Sequence, residues 1–306
     1  MKKVFAVTIN YKSDKETKEL LESLLLIDQK SFDLNVVVID NYPKKPIRLH
    51  AKKYKKLRLK VIYNSQNLGF SEGNNKGMEF ALKNGADYIL IINNDTLVDK
   101  NFLTELISIF ETKTNVGIAA PLIYFEKGYE FKKKEYKEDE LGKVIWYAGG
   151  EIDWDNVLAK HKGVDEVDIG QYSQISETEF ASGCAFLISS EVLKKLGMFD
   201  EKYFLYYEDS DLSIRAKRQG YKIYFSPKSF IWHKNASSAG GSGSELQDYY
   251  ITRNRLLFAL KYASVRSKLA ILKESMMLML GGRKWQKRGV LDFYLGKMSK
   301  GSYPVT

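Results

Sequence analysis

The feature that most constrains the fold of this chain is an abrupt change within residues 88–96, where an aliphatic run passes into a polar one. Residues 89–92 are four consecutive aliphatics, enough for one strand buried on both faces and too few for a helix buried all round. Asn93, Asn94, Asp95 and Thr96 follow. At the carboxyl end of a parallel strand, such groups lie where open α/β sheets bind ligands, and a carboxylate there can hold a hard cation together with phosphate oxygens. A turn that leads into a helix is the alternative interpretation.

The segments around this strand predict an α/β fold of alternating strands and helices. Ser13 and Glu16 match a capping box that opens a helix through Leu25, and a second helix is predicted over 71–83. The order strand–helix–strand–helix indicates a parallel, doubly wound sheet. The other predictions are strands at 3–9, 35–39, 58–63, 116–123, 179–188 and 221–226, a helix at 101–111, a hairpin at 147–154 and a solvated charged loop at 125–140.

Three of the predicted strands end in polar residues. They carry Thr8 and Asn10, Asp40 and Asn41, and the polar residues 93–95. The carboxyl ends of a right-handed βαβ series point the same way, so we expect these side chains to converge on one site. The sequence has no G-x-G-x-x-G after the first strand and no Walker-type glycine–lysine loop. These absences argue against a dinucleotide oxidoreductase and a P-loop enzyme.

A glycine-rich segment, 67–77, indicates that the backbone approaches a ligand closely. Ser71 is placed to cap the helix that follows. Asn74 and Asn75 are poor helix formers in the middle of that helix, so we expect them to make a contact. A glycine turn before a capped helix is the alternative.

A second acidic group, Glu208, Asp209 and Asp211, opens a predicted helix that runs to residue 218 and stops at Gly220. The helix dipole alone can account for carboxylates at this position. Five aromatic residues immediately upstream nevertheless place the group in a partly apolar wall. Partial burial raises the pKa of a carboxylate and makes it a usable general base.

Three further residues are candidates for a site, and the single cysteine is not. His233 lies between a strand and the Ser/Gly-rich stretch 236–244, which has the composition of a lid, so the histidine is a predicted ligand for metal or phosphate. Arg253 opens the next helix and is placed to reach a diphosphate. Trp154 ends a glycine-containing hairpin that suits the wall of a cleft. Cys184 is predicted to be a small buried side chain rather than a nucleophile.

The positive charge of the chain is concentrated at its C-terminal end. The net charge is +10, and residues 253–306 contain twelve lysines and arginines against Glu274 and Asp292. Such asymmetry indicates an anionic partner: nucleic acid, acidic lipid or a phosphorylated substrate. The Met-rich stretch 256–280 and the basic residues around Trp285 are typical of a helix on an anionic membrane; the solvated face of a packing helix is the alternative.

Length and composition suit one large α/β domain with an appendage, because the chain has 306 residues of which 44% are hydrophobic. The single cysteine excludes an intrachain disulfide and favours a reducing compartment. The apolar residues 4–9 are too short for a signal peptide, and no run of about 18 apolar residues predicts a membrane span.

Seven short motifs follow one another along the chain. They are Asp40-Asn41, Asn67-x-Gly-Phe-Ser-x-Gly-Asn-Asn75, Asn93-Asn-Asp95, Ser182-Gly183, Tyr207-Glu-Asp-x-Asp-Leu212, Trp232-His233 and Tyr250-x-x-Arg-Asn254. Each is weak alone, but the combination resembles the family 2 inverting glycosyltransferases, in particular their bacterial rhamnosyltransferase-like branch. The resemblance extends over nearly the whole chain.

This resemblance implies a GT-A fold, which is a Rossmann-like, mostly parallel sheet flanked by helices, with a helical, basic C-terminal extension. We expect residues 1–255 to form the catalytic domain and residues 256–306 the basic tail. Within the domain, the nucleotide-sugar half would cover about 1–123 and the acceptor half about 124–255.

The resemblance also implies roles for individual residues. Asp209 matches the catalytic base, assisted by Glu208, while Asp95 and His233 match ligands of Mg²⁺ or Mn²⁺ that bridges the donor's diphosphate. Many members carry aspartate where this chain has Asn93, and because an amide contributes less charge we expect weaker metal affinity. The implied donor contacts are Thr8, Asn10, Asp40, Asn67, Asn75, Asn93, Asn94 and Arg253, and the acceptor contacts are Trp154, Ser182, Gly183, Asp211 and Trp232.

The expected reaction inverts the sugar's anomeric centre without a covalent enzyme intermediate, because one base deprotonates the acceptor hydroxyl as it attacks opposite the diphosphate. On the resemblance alone the preferred donor is dTDP-L-rhamnose, with UDP-linked glucose, galactose, galactofuranose or N-acetylhexosamine as alternatives. The expected acceptor is a growing, lipid-linked cell-surface polysaccharide of the wall or capsule. The enzyme would then be cytoplasmic and peripheral at the inner face of the plasma membrane, and a homodimer is allowed.

Two rival functions remain at this point. A nucleotidyltransferase would carry a glycine-rich loop with Arg or Lys after its first strand, and residues 8–11 lack one. A non-enzymatic protein that binds nucleic acid or membrane through the basic tail and residues 44–60 would leave the polar strand ends unexplained. Because the tail has no recognised nucleic-acid motif, we expect no nucleic-acid partner.

Overall fold

The computed structural model describes residues 1–50, 52–235 and 243–304. The strands are β1 (Lys2–Asn10), β2 (Phe32–Asp40), β3 (Lys60–Tyr63), β4 (Tyr88–Ile92), β5 (Thr96–Val98), β6 (Val116–Phe125), β7 (Ile145–Tyr147), β8 (Gly150–Asp153), β9 (Leu158–His161), β10 (Ser176–Glu177), β11 (Ala185–Ser189) and β12 (Lys222–His233). The helices are α1 (Asp14–Leu25), α2 (Ser71–Lys83), α3 (Phe102–Thr112), α4 (Ser190–Leu196), α5 (Glu208–Arg218), α6 (Glu245–Tyr262), α7 (Val265–Gly281) and α8 (Lys284–Tyr294), with 3₁₀ turns at Lys55–Leu57 and Glu201–Tyr203.

The strands of the described residues form one large sheet and a separate hairpin. The order in the large sheet is β10-β12-β6-β11-β4-β1-β2-β3, with β5 added to β12 and β7 to β6. β1 to β4 are mutually parallel, and so are β6 and β12, whereas β11 runs antiparallel between β4 and β6. The predicted mostly parallel sheet with flanking helices and a helical C-terminal extension is therefore confirmed. The antiparallel strands of this sheet are β11 and the short strands β5, β7 and β10.

Burial explains why the aliphatic runs became strands. Every residue of β4 is buried, as are residues 36–39 of β2 and 4–7 of β1, because helices cover both faces of a parallel sheet. α1 packs one face inward through Leu20, Leu21 and Leu24. The core is continuous through the sheet.

Three predicted strand boundaries need correction. The predicted strand 179–188 begins only at Ala185, since the backbone before it bends to meet the end of β4. The predicted strand 221–226 continues to His233, with an irregular register between Ser226 and Phe230 around Pro227, whose nitrogen cannot donate. The hairpin predicted at 147–154 lies further on, where β8 pairs with β9.

Two predicted helix caps are also wrong. Ser13 makes no side-chain cap on α1; its hydroxyl instead accepts a hydrogen bond of 2.6 Å from the Asn94 amide. Ser71 does not cap α2, and its buried hydroxyl has no partner among the described residues. Ser13 thus fixes the polar end of β4 rather than the start of its own helix.

The C-terminal helices pack against one another and against the sheet domain. The Tyr249 hydroxyl of α6 donates to the Asp292 carboxylate of α8, and Arg255 of α6 forms an ion pair with Glu274 of α7. α6 runs through residue 255, where we placed the end of the catalytic domain, and that division remains a prediction. Within the described residues, each helix is too short or too polar to cross a bilayer.

Candidate active site

The polar ends of the parallel strands converge as predicted. The sheet register pairs Asn10 with Asp40, and the Asn10 amide donates to the Asp40 carboxylate over 3.1 Å. Asp40 also accepts hydrogen bonds from the backbone nitrogens of Tyr42 (3.1 Å) and Ile47 (2.7 Å), so it holds the loop that follows β2. Asn41 donates to the carbonyl of Gly69 over 2.9 Å and thereby fixes the glycine-rich segment beside the strand ends.

A cavity of about 370 Å³ opens at this edge of the sheet, within the size range of small-molecule sites. It lies between the end of β4, the segment before β11, the start of α5, the end of β12 and the start of α6. Its lining includes Ile9, Tyr11, Ser13, Asn41, Asn67, Gly69, Phe70, Asn93, Asn94, Asp95, Trp146, His161, Ser182, Gly183, Cys184, Phe204, Leu205, Tyr206, Glu208, Asp209, His233, Asn235, Leu246 and Gln247.

One side of the cavity carries a carboxylate and an imidazole in contact. β5 pairs with β12 so that Thr96 lies opposite His233, which brings the His233 Nε2 to 3.2 Å from the Asp95 Oδ1. Both side chains are almost fully buried, and the His233 Nδ1 has no hydrogen-bond partner in the described structure. Burial lowers the pKa of His233, but the neighbouring Cys184 and Asp95 outweigh it and raise this pKa well above the ordinary value.

This pair fits a divalent cation that is held mainly by its substrate. In the described parts of the chain, no group of three His, Cys, Asp or Glu side chains is close enough to enclose a metal by itself. Mg²⁺ and similar cations are commonly held by one or two protein groups plus the phosphates of a ligand and water. Asp95 and His233 offer such an incomplete set at the cavity wall.

The other side of the cavity carries the second acidic group. The Asp209 Oδ2 accepts a hydrogen bond of 2.8 Å from the backbone nitrogen of Gly183, and its Oδ1 accepts one of 2.6 Å from the backbone of Ser210. Burial raises the pKa of Asp209, and these backbone donors counteract only part of the effect. Glu208 is buried beside it, and its Oε2 has no partner in the described residues.

The two acids differ in how readily they ionise. Burial, together with the charge of Asp209, raises the pKa of Glu208 well above its ordinary value. Because only Asp209 has backbone donors on both oxygens, Glu208 takes up a proton first as the pH falls. Asp209 is therefore the more readily ionised carboxylate of this pair.

The segment before β11 connects the two acidic sides. The carbonyl of Cys184 accepts a hydrogen bond of 2.8 Å from the Asn93 nitrogen, and the nitrogen of Gly183 donates to Asp209. A Cβ on Gly183 would lie 3.4 Å from the Asp209 Oδ2 and from the Phe70 ring, which is close to ordinary van der Waals contact. Cys184 is buried as predicted, and burial raises the pKa of its thiol, as expected for an inert side chain.

The turn that leads into Glu208 and Asp209 is held in a strained backbone. Phe204, Tyr206 and Tyr207 have positive φ angles of 26°, 70° and 74°, each at a cost of about 1–3 kcal/mol for a side chain of this size. The amide of Asn254 donates to the carbonyls of Leu205 (2.8 Å) and Tyr206 (2.9 Å). We call residues 204–207 the acid-bearing turn; Asn254 holds it from outside the cavity.

Replacing Asn254 by aspartate is expected to lower turnover by about 10–100-fold, because the two donated bonds become repulsive and Asp209 moves. Loss of these bonds in a buried site should also lower the free energy of unfolding by about 1–3 kcal/mol. Steady-state kinetics, donor titration and thermal melts would measure turnover, donor affinity and stability separately. Asn84→Asp, an exposed position at the end of α2, is the control. Unchanged turnover in Asn254→Asp would show that the turn keeps its shape without the amide.

Nine of the predicted site residues line the cavity. They are Asn67, Asn93, Asn94, Asp95, Ser182, Gly183, Glu208, Asp209 and His233. The two acidic motifs, more than one hundred residues apart in the chain, therefore face one space. The roles of these side chains toward a ligand remain predictions.

Five predicted donor contacts are directed elsewhere. Asn75 bonds to the backbone of Phe199 at both ends of its amide, and Arg253 is fully buried against the carbonyls of Lys202 and Lys297. Asn10 and Asp40 bond to each other, and the Thr8 hydroxyl is buried under the strand ends without a partner in the described residues. In this structure these five side chains support the elements around the cavity and are not part of its lining, and their contacts with a donor stay predictions.

Three predicted acceptor contacts also fail to line the cavity. Trp154 stacks on Phe258 with ring centroids 6.0 Å apart, and the Trp232 nitrogen donates to the Gly142 carbonyl over 3.0 Å. Asp211 is fully buried and forms ion pairs with Arg215 (2.7 Å) and Lys261 (2.5 Å). An acid so fully paired anchors α5 to α6, and its predicted role in the acceptor site stays untested.

Several lining residues were missed by sequence reasoning. His161 of β9 has its Nδ1 3.3 Å from the Trp146 carbonyl, and burial lowers its pKa to about 4, so it is neutral at physiological pH. Trp146, Tyr206 and Gln247 also face the cavity. Two of the lining residues carried a signal in the sequence: Tyr11 stands next to a polar strand end, and Tyr206 belongs to the aromatic run before Glu208. The predicted lid, 236–244, falls largely on residues 236–242, which lie outside the described residues.

Comparison with known proteins gives consistent results. A family model described as glycosyltransferase-like family 2 matches residues 3–255. The low-salt glycan biosynthesis hexosyltransferase Agl10 of Haloferax volcanii is 24% identical over 252 residues, which cover 82% of this chain and 73% of that protein. The dTDP-rhamnosyl transferase RfbF of Shigella flexneri is 25% identical over 266 residues, covering 84% and 80%.

A solved structure shares the fold. The crystal structure of GalNAc-T7 with UDP, GalNAc and Mn²⁺ aligns with a TM-score of 0.59 at 16% identity. The alignment covers 89% of this chain but only 54% of that one, so the present chain spans about half the length of this neighbour. At this identity the likeness concerns the fold alone.

Proposed function

Because the chain belongs to glycosyltransferase-like family 2 and has a GT-A fold, we propose that it transfers a sugar, with inversion, from a nucleotide diphosphate sugar to an acceptor hydroxyl. The observation that carries the proposal is that Asp209 on one side and the Asp95–His233 pair on the other line one cavity. A base and a cation site on opposite sides of a cleft are what a displacement of diphosphate by a hydroxyl requires.

Asp209 is the proposed base. Its carboxylate is ionised more readily than that of Glu208, and the backbone nitrogens of Gly183 and Ser210 fix its orientation. It takes the proton of the acceptor hydroxyl while that oxygen attacks the anomeric carbon. Glu208, which lines the cavity and whose Oε2 has no partner among the described residues, is proposed to form a hydrogen bond with the acceptor.

Asp95 and His233 are the proposed ligands of Mg²⁺ or Mn²⁺. When bound, the cation would neutralise the charge that develops on the departing diphosphate. The structure of GalNAc-T7 contains Mn²⁺ and UDP, which supports a divalent cation in this fold. Asn93, which lines the cavity as an amide, adds no charge, so we propose that the metal is held loosely until the donor is bound.

The nucleotide is proposed to lie toward the ends of β1 and β2. Tyr11 and Asn67 line the cavity there, and Asp40 and Asn41 hold the loops around them. Asn94, which bonds to Ser13, and Asn93 would face the diphosphate beside Asp95. The relative RfbF is named as a dTDP-rhamnosyl transferase, which supports dTDP-L-rhamnose as our preferred donor; UDP-linked hexoses are the alternative.

The acceptor is proposed to enter past Ser182, Gly183, Trp146 and Tyr206, which form the wall on the side of Asp209. Aromatic rings suit the apolar faces of sugar rings. We propose that the acceptor is a lipid-linked glycan of a cell-surface polysaccharide, built at the inner face of the plasma membrane. The name of Agl10, a hexosyltransferase of glycan biosynthesis, supports a glycan acceptor.

A thermal-shift screen tests the proposed donor. dTDP-L-rhamnose, UDP-glucose, UDP-galactofuranose and UDP-N-acetylglucosamine would each be added with and without Mn²⁺. A donor at about 100 times its Kd should stabilise the protein by about 2.7 kcal/mol, which shifts the Tm of a chain of this length by about 4 °C. We expect the largest shift for dTDP-L-rhamnose with Mn²⁺. Stabilisation by none of the four would contradict the proposed function, and a larger shift with a UDP-sugar would reassign the donor.

A further inference from the structure

Helix α7 turns apolar side chains outward. Val265 is 73% exposed and Leu280 is 84% exposed, and the side chains between them on the same stripe are similarly open. The exposed apolar residues of this helix are Val265, Leu269, Met276, Met277, Met279 and Leu280. Single exposed apolar side chains are ordinary, but a stripe along a whole helix indicates an interaction surface. We call this stripe the α7 face.

The buried side of the same helix is the less apolar one. Ser267, Ile271 and Ser275 face inward, and the Ser275 hydroxyl lies 2.7 Å from the Tyr294 hydroxyl of α8. A surface helix normally buries its apolar stripe and exposes its polar one. Helix α7 contributes Ile271 and the partly buried Leu278 to the core but leaves six apolar side chains exposed, and folding of the chain alone does not account for that outward face.

Positive charge surrounds the α7 face. Arg266, Lys268 and Lys273 lie on α7 and form no ion pair with any described residue. The two acids of this region are occupied, since Glu274 pairs with Arg255 and the fully buried Asp292 pairs with Arg288 over 3.4 Å. The other cations of the surface, on α7 and at Lys284 and Lys287, have no acidic partner among the described residues.

A groove at the end of α7 continues this surface. It measures about 410 Å³ and lies between Met279 of α7 and Leu291 of α8, with Lys284, Lys287 and Arg288 around it. Apolar atoms below and cations at the rim match the two parts of a lipid, its acyl chain and its phosphate. The arrangement is thus continuous from the α7 face onto α8.

We propose that the α7 face and this groove dock the protein on an anionic lipid bilayer. The combination of an apolar stripe with flanking Lys and Arg is what binds a helix in the plane of a charged membrane surface. A second copy of the chain is disfavoured, because a two-fold contact would place two uncompensated positive surfaces against each other. Trp285 lines the groove as well, while its ring packs against Tyr249 and Tyr303 with ring centroids 6.0 and 4.6 Å away, so its place at the membrane surface stays a prediction.

The docking surface extends the proposed function, because a bilayer bound there would present the lipid-linked acceptor. The membrane proposal rests on the proposed function in this one respect. α6 carries both Asn254, which holds the acid-bearing turn, and Arg255, which is paired with α7. Helix α6 thereby connects the α7 face to the acid-bearing turn, which leads into the proposed base Asp209. Binding to a bilayer nevertheless needs neither donor nor acceptor, so the two proposals can fail separately.

Flotation of the full chain with vesicles tests the proposal. Vesicles of phosphatidylcholine alone would be compared with vesicles in which about one third of the lipid is phosphatidylglycerol. We expect the protein to float with the anionic vesicles at low salt, and to bind them about tenfold or more weakly when Met276, Met277 and Leu280 are all changed to serine. Ile169→Ser is the matched control, because Ile169 is an apolar residue that is 86% exposed and is distant from α7 in the sequence. This variant should bind the vesicles as the wild type does.

Two further measurements separate the outcomes. The triple serine variant should keep its donor-induced thermal shift, which shows that it is folded and that failure to float is not failure of the transferase site. If wild-type protein stays in solution with anionic vesicles, or if the triple variant floats equally well, the proposal is overturned. A dimer seen by light scattering that the triple variant loses would likewise overturn it, since the face would then cover a second copy.

Discussion

Replacing Asp209 by asparagine is expected to lower turnover by about 10²–10⁴-fold, the range over which a positioned general base contributes. The amide has the shape of the carboxylate and keeps one accepting oxygen, so it can still bond to Gly183 or to Ser210, but it cannot take a proton. The donor does not touch this proton. We therefore expect the donor's Kd, measured by titration calorimetry, to change by less than the turnover does.

Two controls make the result specific to the base. Asp155→Asn removes a carboxylate from an exposed position and should have no effect on turnover. Glu208→Gln should cost less than Asp209→Asn, because Glu208 holds its proton more tightly. If Asp209→Asn turns over normally while Glu208→Gln does not, the base is Glu208 and the assignment is reversed.

The pH dependence of the wild type supplies an independent readout. A base works only when deprotonated, and burial raises the pKa of Asp209 above its ordinary value. The rate should therefore rise with pH through an apparent pKa higher than the 3.9 or so of a free aspartate. This limb should be absent from the residual activity of Asp209→Asn.

The fold was predictable wherever a local pattern sets the structure. Residues 89–92 could only be a doubly buried strand, and helix α2 begins and ends where its periodicity predicts. The failures lie where tertiary contacts override local preference. Ser13 is a plausible cap by sequence. In the structure its hydroxyl instead accepts a hydrogen bond from the amide of Asn94, which follows the carboxyl end of β4. The sequence carries no local sign of that competition.

The site was predictable to the extent that its motifs stand at strand ends. Asp95 and Asp209 were placed in one cavity because polar residues follow two apolar or aromatic runs. Arg253 shows what sequence could not supply. An arginine near a predicted diphosphate site is expected to form an ion pair with the phosphates. Arg253 is instead buried under residues 297–303, which lie about fifty residues further along the chain. Its environment is created by the C-terminal segment, whose packing no periodicity in the sequence indicates.

The chemistry of His161 was missed for a related reason. A lone histidine in a short strand has no distinguishing neighbours in sequence. In the structure the Trp146 ring lies between the two histidines of the cavity, with its centroid 4.4 Å from that of His161 and 4.6 Å from that of His233. Burial then keeps His161 neutral, so it supplies a polar wall without adding charge beside the cation site.

Replacing Asp95 by asparagine is expected to abolish the Mn²⁺-dependent part of the donor-induced thermal shift. Asp95 is the only carboxylate beside His233 among the residues described at this wall, so its loss leaves the cation with a neutral imidazole and the donor's phosphates. Loss of an outer-shell partner of a metal ligand costs about 10–100-fold in affinity, and loss of the charged ligand itself should cost more. Thermal melts of the donor complex across a Mn²⁺ titration measure this directly, without reference to turnover.

The reciprocal variant sharpens the test of that site. Asn93→Asp places a second carboxylate in the same cavity, where it should strengthen cation binding by about tenfold or more: the attraction is several kcal/mol at an effective dielectric constant of about 20, and desolvation of the carboxylate offsets part of it. Asp95→Asn and Asn93→Asp should therefore shift the Mn²⁺ titration in opposite directions, whereas Asp155→Asn should not shift it. Equal Mn²⁺ dependence in all three variants would mean that the cation, if one binds, is held elsewhere. The Asp95–His233 contact would then be an ordinary buried ion pair that closes β5 onto β12.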